Sequence, residues 1–333
     1  MDNERYAYAV GRVRAMERGL LDRSRIDRMV EASSAEEALK VLGETAYAEY
    51  LSALNSIFDY DRILERELHR IYLEMRRFSP EPELVGLFAC KFDYHNLKVL
   101  FKALKMGEKR DDLLVKEAGN LPLALLVRAV SEENFIYLPS KMSQAAVRLA
   151  EAFRLEANPQ LVDLVFDGAM FEEIFEKLEI VASPFLTKYF QYLVDLTNIK
   201  TFLRVKRANQ TREFLEQALL PFGTLDLRRL VQLGDPLEVL VDRLMTTEYA
   251  QVVEDGIQTY QRTDSLTRYE KLADNFLLRY LKKAKYVTFG PEPLAAYLLA
   301  KENEIKLIRI IMVGKINQLP NEEIKERLRD VYV

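Results

Sequence analysis

The sequence of 333 residues is poor in the side chains that carry most protein chemistry, with one cysteine, two histidines, no tryptophan and 12 glycines. A lone thiol, Cys90, excludes a disulfide framework within the chain and fits a reducing compartment. His69 and His95 leave little for a histidine-based metal or nucleophile site. Glu65 and His69 share a helix face, but Arg66 stands where a carboxylate-bridged metal pattern needs an acid. Cys90 and His95 fall on opposite sides of a helix, a poor ligand pair. No glycines are spaced as G-x-G-x-x-G, and Gly314-Lys315 lacks both the first glycine (Arg309) and the hydroxyl (Ile316) of a phosphate loop. Asp111-Asp112 lacks the further acid of an aspartate-rich prenyl-transfer motif, because position 115 is Val115. No run approaches the roughly 20 apolar residues of a membrane span, and no apolar signal core follows Met1-Asp2-Asn3-Glu4-Arg5. A net charge of −4 excludes the basic balance of a nucleic-acid binder. These absences predict no active site, cofactor, metal or nucleic acid, and contact with a membrane only through a protein partner.

What is abundant is apolar and charged residues in helical rhythm. Hydrophobic residues make up 49% of the chain and charged residues 30%, a folded, helix-prone composition with core for two or three domains. The organising stretch runs from Phe88 to Lys105. At helical spacing Phe88, Phe92, Leu97, Val99, Leu100 and Leu104 make an apolar arc, into which Asp93 and Asn96 point. Lys98, Lys102 and Lys105 form a basic stripe at i, i+4 and i+7. Asp93-x-x-Asn96-Leu97-Lys98 returns as Asp195-x-x-Asn198-Ile199-Lys200, and more faintly as Lys301-x-x-Glu304-Ile305-Lys306. The second copy keeps the inward pair and the stripe (Lys200, Arg204, Arg207). The third keeps only Lys306 of the stripe, with Ile310 and Val313 in the other places.

An inward amide or carboxylate left unpaired costs about 1–3 kcal/mol. Asp93, Asn96, Asp195 and Asn198 are therefore expected to be buried and bonded to neighbouring helices or backbone, a ligand site being the alternative. The two stripes are expected to hold an acidic or carbonyl-rich partner surface if they face one, and otherwise to be solvated faces.

Proline punctuates the chain. Long helical patterns beginning near Ser56, Asn158 and Leu266 stop at Ser79-Pro80-Glu81-Pro82, at Ser183-Pro184 and, after Tyr286, at Gly290-Pro291-Glu292-Pro293. Pro82 and Pro184 stand equally far ahead of Asp93 and Asp195. Gly107 and Gly314 are expected as C-caps, Ser34 with Glu37 as a capping box, and Asp235-Pro236 as cap and first helical residue. Ile26-x-x-Met29-Val30 matches Leu227-x-x-Leu230-Val231. No alternating β-branched runs persist, and a period of roughly 100 residues is too long for a solenoid of helix pairs. The prediction is an all-α protein of three similar helical bundles, residues 1–118, 119–220 and 221–333, with the N-terminal helix packed on the C-terminal one.

Three stretches carry a resemblance: Phe289 to Pro320, Tyr6 to Glu17, and the repeated Asp-x-x-Asn-(Leu/Ile)-Lys. Over its whole length the chain resembles the C subunit of the archaeal and bacterial V/A-type ATP synthases, whose counterpart in the eukaryotic vacuolar proton pump is the d subunit. The resemblance implies a funnel of three pseudo-threefold-related bundles. It also implies a seat on the cytoplasmic face of the membrane proteolipid ring, receiving the central stalk made of the D and F subunits. Such a rotor component transmits torque between ATP turnover and ion flow without an active site of its own. The third copy departs from the motif, with Lys301 and Glu304 in place of Asp and Asn. The competing readings are an all-helical enzyme with its site between bundles, and a generic helical scaffold.

Overall fold

A computed structural model describes residues 3–52, 54–155, 159–232 and 236–333. Every regular element among them is a helix, and no strand occurs. The α-helices are α1 (Ala7–Glu17), α2 (Arg23–Glu31), α3 (Ala35–Val41), α4 (Ala48–Leu51), α5 (Tyr60–Phe78), α6 (Pro82–Met106), α7 (Leu123–Ser131), α8 (Ser140–Leu155) and α9 (Pro159–Val181). They continue with α10 (Pro184–Arg207), α11 (Arg212–Ala218), α12 (Leu227–Leu230), α13 (Leu237–Leu244), α14 (Ala250–Thr263), α15 (Thr267–Leu281), α16 (Glu292–Ile316) and α17 (Asn321–Arg327).

The ends follow local chemistry. Pro82 is the first residue of α6, and Gly107 closes that helix at φ 66°, a left-handed conformation that costs glycine little. Asp22 caps α2 by accepting the Arg25 N–H at 2.9 Å. Ser34 caps α3, but Glu37 reaches back to the backbone N–H of Ser33 at 3.0 Å rather than to that of Ser34. The α-helix α15 stops at Leu281, and residues 282–286 tighten into a 3-10 turn. The Arg14 guanidinium gathers the carbonyls of Ala284 (2.9 Å), Lys285 (2.9 Å) and Val287 (3.1 Å), drawing them away from an α-helical ladder. Gly314 lies inside α16 and not at its end. A Cβ there would sit 2.6 Å from Ile324 Cγ1, so this glycine serves close helix approach rather than capping. The expected cap Asp235 lies outside the described residues; Pro236 occupies the cap position of α13.

The chain divides into two compact units, Met1–Ile71 with Lys188–Val333, and Tyr72–Thr187. In the smaller unit α6 packs on α7 and α9, and α8 on α9. Phe101 anchors that core, edge-on to Phe166 with ring centroids 5.2 Å apart and stacked on Phe135 at 5.8 Å. In the larger unit one core joins the two ends of the chain. Ile26, Met29, Leu42 and Tyr47 bury against Ile308, Ile311, Met312 and Ile324, and α1 packs on α16. In the same unit Tyr192 of α10 packs against Tyr249 of the turn before α14 and Phe276 of α15 at 5.9 and 5.1 Å.

Adding one methyl to an over-tight contact costs about 1–3 kcal/mol, whereas filling open helix surface stabilises by up to about 1 kcal/mol. Gly314→Ala is therefore expected to lower the melting temperature, and Gly168→Ala, whose Cβ meets nothing within 4 Å, to leave it unchanged or raise it. Equal melting of the two variants would contradict the close approach of α17 to Gly314.

Candidate functional site

The inward polar residues form three junctions between a long helix and a distant loop. Asp93 of α6 is 1% exposed; its carboxylate accepts the Asn120 N–H at 2.8 Å and the Leu121 N–H at 3.2 Å. One turn on, Asn96 exchanges both backbone bonds with Val115, at 2.7 and 2.8 Å. The second copy repeats the arrangement on α10. Asp195 accepts the N–H groups of Thr224 (2.9 Å) and Leu225 (3.1 Å), and Asn198 exchanges both bonds with Leu220 at 2.8 Å. In both loops a glycine precedes the first donor. A Cβ at Gly119 would fall 2.1 Å from Asp93 Oδ1, and one at Gly223 1.9 Å from Asp195 Oδ1, so the carboxylates fill the space a side chain would take.

The third junction reaches the same end with different residues. Lys301, in the aspartate's place on α16, has no acceptor for a backbone N–H. Glu304, one turn later and longer than Asn, accepts the Leu21 N–H at 2.5 Å. Its other oxygen takes the Tyr47 hydroxyl at 2.8 Å and the Lys301 ammonium at 2.7 Å. Lys301 also meets Glu67 at 3.1 Å and lies over the Tyr47 ring at 5.2 Å. Tyr249 does for Asp195 what Tyr47 does for Glu304, donating at 2.7 Å.

Sequence reasoning found the acceptors of the first two junctions but not Glu304, and it missed these donors. Their signals are short: Gly19-Leu20-Leu21, Gly119-Asn120-Leu121 and Gly223-Thr224-Leu225, each just ahead of a helix, and Thr45-x-Tyr47-Ala48 beside Thr247-x-Tyr249-Ala250. In both of the latter the threonine hydroxyl bonds the carbonyl three residues back at 2.6 Å and accepts the tyrosine N–H. The loop register pairs Asp22, the cap of α2, with Asp226, the cap of α12, and so displaces the match of Ile26 with Leu227.

The basic stripes lie along neighbouring helices of their own units. Lys98 pairs with Asp167 at 2.6 Å and Lys102 with Asp163 at 2.7 Å, both on α9. Lys105 meets the Phe153 carbonyl at 3.4 Å and its ring at 5.4 Å. Arg204 pairs with Glu270 of α15 at 3.0 Å, Lys200 lies 3.9 Å from the same carboxylate, and Arg207 pairs with Asp264 at 2.9 Å. Partly exposed pairs of this kind contribute about 0–1 kcal/mol each. The first stripe is spent on carboxylates of its own unit, one each for Lys98 and Lys102, whereas Lys200 and Arg204 share a single carboxylate.

Burial raises several groups beyond ordinary use. The Cys90 thiol, wholly buried and donating to the Leu87 carbonyl at 3.2 Å, is pushed well above its usual range, so it is no nucleophile. His95, exposed, bonds the Leu113 carbonyl at 2.9 Å. Among the described residues no group of three or more His, Cys, Asp or Glu gathers to hold a metal, and no helix is long and apolar enough to cross a membrane.

Burial also pushes the Asp93 carboxyl up to about 6, against the opposing pull of its two backbone donors. Glu173 adds to the rise and Arg76 resists it. A raised pKa means the folded state holds a proton that the unfolded chain releases. The stabilisation is full below the unfolded value of about 4 and is lost as pH rises through about 6. The stability difference between wild type and Asp93→Asn is expected to fall by about 2–3 kcal/mol between pH 4 and pH 7, measured by urea unfolding. A pH-independent difference would show that Asp93 is ionised throughout. At the third junction, Lys301→Met removes the ammonium shared by two buried carboxylates and is expected to cost about 3–5 kcal/mol by the same measurement. A loss under about 1 kcal/mol would mean that water already reaches the cluster.

The sequence profile of the family described as ATP synthase (C/AC39) subunit matches residues 9–327. The chain is 27% identical over 322 residues to the C subunit of the V-type sodium ATPase of Enterococcus hirae, covering 96% of this chain and 97% of that protein. It is 27% identical over 351 residues to the C subunit of the A-type ATP synthase of Methanocaldococcus jannaschii, covering 97% of this chain and 86% of that one. A third relative, the corresponding A-type ATP synthase protein of Thermococcus kodakarensis, is 25% identical over 342 residues, 98% of this chain and 91% of its own. With the profile running through all three junction helices and the loops that close them, the chain belongs to the ATP synthase (C/AC39) subunit family, which supplies the C subunit of V/A-type ATPases and ATP synthases.

Proposed function

We propose that this chain is a non-catalytic rotor component that links the central stalk, made of the D and F subunits, to the membrane proteolipid ring at its cytoplasmic face. It carries torque between ATP turnover and ion transport. The observation that carries this reading is the near full-length match to the family, over residues 9–327. The junctions support it physically. A torque-bearing part needs helices that do not slide, and each junction pins a long helix to a loop through buried, fully engaged carboxylates rather than through groups left free for chemistry.

The same reading takes the chain as three related bundles, each opened by a motif helix: α6 with α7–α9, α10 with α11–α15, and α16 with α17 and α2–α5. The recurrences expected at 1–118, 119–220 and 221–333 are thereby shifted, because the donor loop of each junction follows its helix. For α16 the following loop is the one at the N-terminus. Support comes from Leu21, which serves Glu304 as Leu121 serves Asp93 and Leu225 serves Asp195.

The test is affinity purification of the tagged chain from detergent-solubilised membranes. The proteolipid and the D and F stalk proteins are expected in constant proportion to the bait, and the isolated chain is expected to hydrolyse no ATP. Recovery of the chain without ring or stalk, or turnover by the chain alone, would overturn the proposal.

A further inference from the structure

Lys200 of the second motif copy and Lys306 of the third converge on one groove, bordered by α10, α15 and α16. Two carboxylates of α15 stand in it, Glu270 and Asp274. Arg204 and Lys200 share Glu270, at 3.0 and 3.9 Å. Lys306 and Arg329 share one oxygen of Asp274, Arg329 at 2.8 Å. Four cations thus surround two carboxylates. The contrast is with the first copy, where Lys98 and Lys102 each have an aspartate to themselves. Burial first, and then Arg204 beside it, lower the Lys200 pKa, with Glu270 and Asp274 acting against them.

The space is real and has two ends. A cavity of about 240 Å³ lies over Lys200, Glu270, Asp274, Lys306 and Arg329. It shares Asp274, Leu277 and Lys306 with a second cavity of about 180 Å³, which continues over Leu278, Leu281 and Leu299 to Tyr189. Glu302, one turn before Lys306 on α16, lines that second cavity and brings the acids along the groove to three against four cations. One end of the groove therefore offers surplus positive charge and the other a leucine-lined wall. An inorganic anion would complement the first and leave the second empty.

We infer that this groove is a docking site for a partner protein's segment that carries carboxylates followed by apolar side chains, the carboxylates meeting Lys200, Arg204 and Lys306 and the apolar residues lying along Leu277, Leu281 and Leu299. The occupant is defined by its chemistry, so the inference stands whether or not the chain works as a rotor. Of the basic residues in the motif helices, those around Glu270 and Asp274 are set to bind in trans, while Lys98 and Lys102 serve their own unit.

The test uses the full chain and a short fluorescent peptide with Glu at one end and Leu at the other, followed by anisotropy. Lys200→Gln/Arg204→Gln is expected to weaken binding about tenfold or more, while Lys98→Gln/Lys102→Gln leaves it unchanged. The wild-type chain carrying a photo-crosslinker at Thr197, on the groove wall, is expected to capture the peptide, and one carrying it at Val127 is not. That arm decides the matter even if the double variant fails to fold. Undiminished binding of a peptide with Gln for Glu or Ala for Leu, or absence of capture at Thr197, would overturn the inference. So would full displacement of the peptide by inorganic phosphate at an ionic strength matched with chloride, which would mark a site for a small anion only.

Discussion

Backbone N–H groups of a loop just ahead of a helix have no helical partner of their own, and a carboxylate buried in a helix face has no water. Each problem answers the other at Asp93, Asp195 and Glu304, and much of the packing around them depends on that exchange. Apolar packing fixes which face of a helix is buried but tolerates small shifts among neighbouring side chains. A carboxylate that must meet two specific N–H groups admits one register. The glycines ahead of the donors follow from the same constraint, because Gly119 and Gly223 leave room that the carboxylate oxygens occupy.

The third junction shows how far the residues can change while the constraint holds. Replacement of the aspartate by Lys301 removes the acceptor, and Glu304 supplies one from the next turn. The lysine then needs counter-charge in a place without solvent, which Glu67 and Glu304 provide at 3.1 and 2.7 Å. Pairing of this kind rarely stabilises a core relative to apolar packing, but it penalises strongly any arrangement that separates the partners. Here the partners come from α5, α16 and the N-terminal loop, so the cluster ties the beginning of the chain to its end.

Charge on the outer faces is distributed unevenly. The first stripe is matched closely by α9, lysine to aspartate, and contributes mainly to holding α6 on its neighbour. Around Glu270 and Asp274 the cations outnumber the carboxylates, so one seam of the larger unit keeps an unspent field. A net charge of −4 for the whole chain conceals this, because attraction of a partner depends on local surplus within about a Debye length, near 8–10 Å.

The amino-acid sequence by itself determined the helical class, the proline and glycine stops at Phe78, Met106 and Val181, and the inward placement of Asp93, Asn96, Asp195 and Asn198. All of these are local: they follow from a 3.6-residue period, a missing N–H or a left-handed φ, each of which acts within a turn or two. Family membership was legible too, because the run from Phe289 to Pro320 is long enough to be specific. Only the tertiary structure decided what Asp93 and Asn96 bond to, that Glu304 takes over the acceptor's role, that Gly314 packs rather than caps, and that the stripes lie against α9 and α15. These depend on groups far apart in the chain, such as Leu21 and Glu304 or Gly314 and Ile324, and on which side of a helix its neighbour lies. Periodicity says that a face is turned inward; it carries no information about which distant segment meets it there.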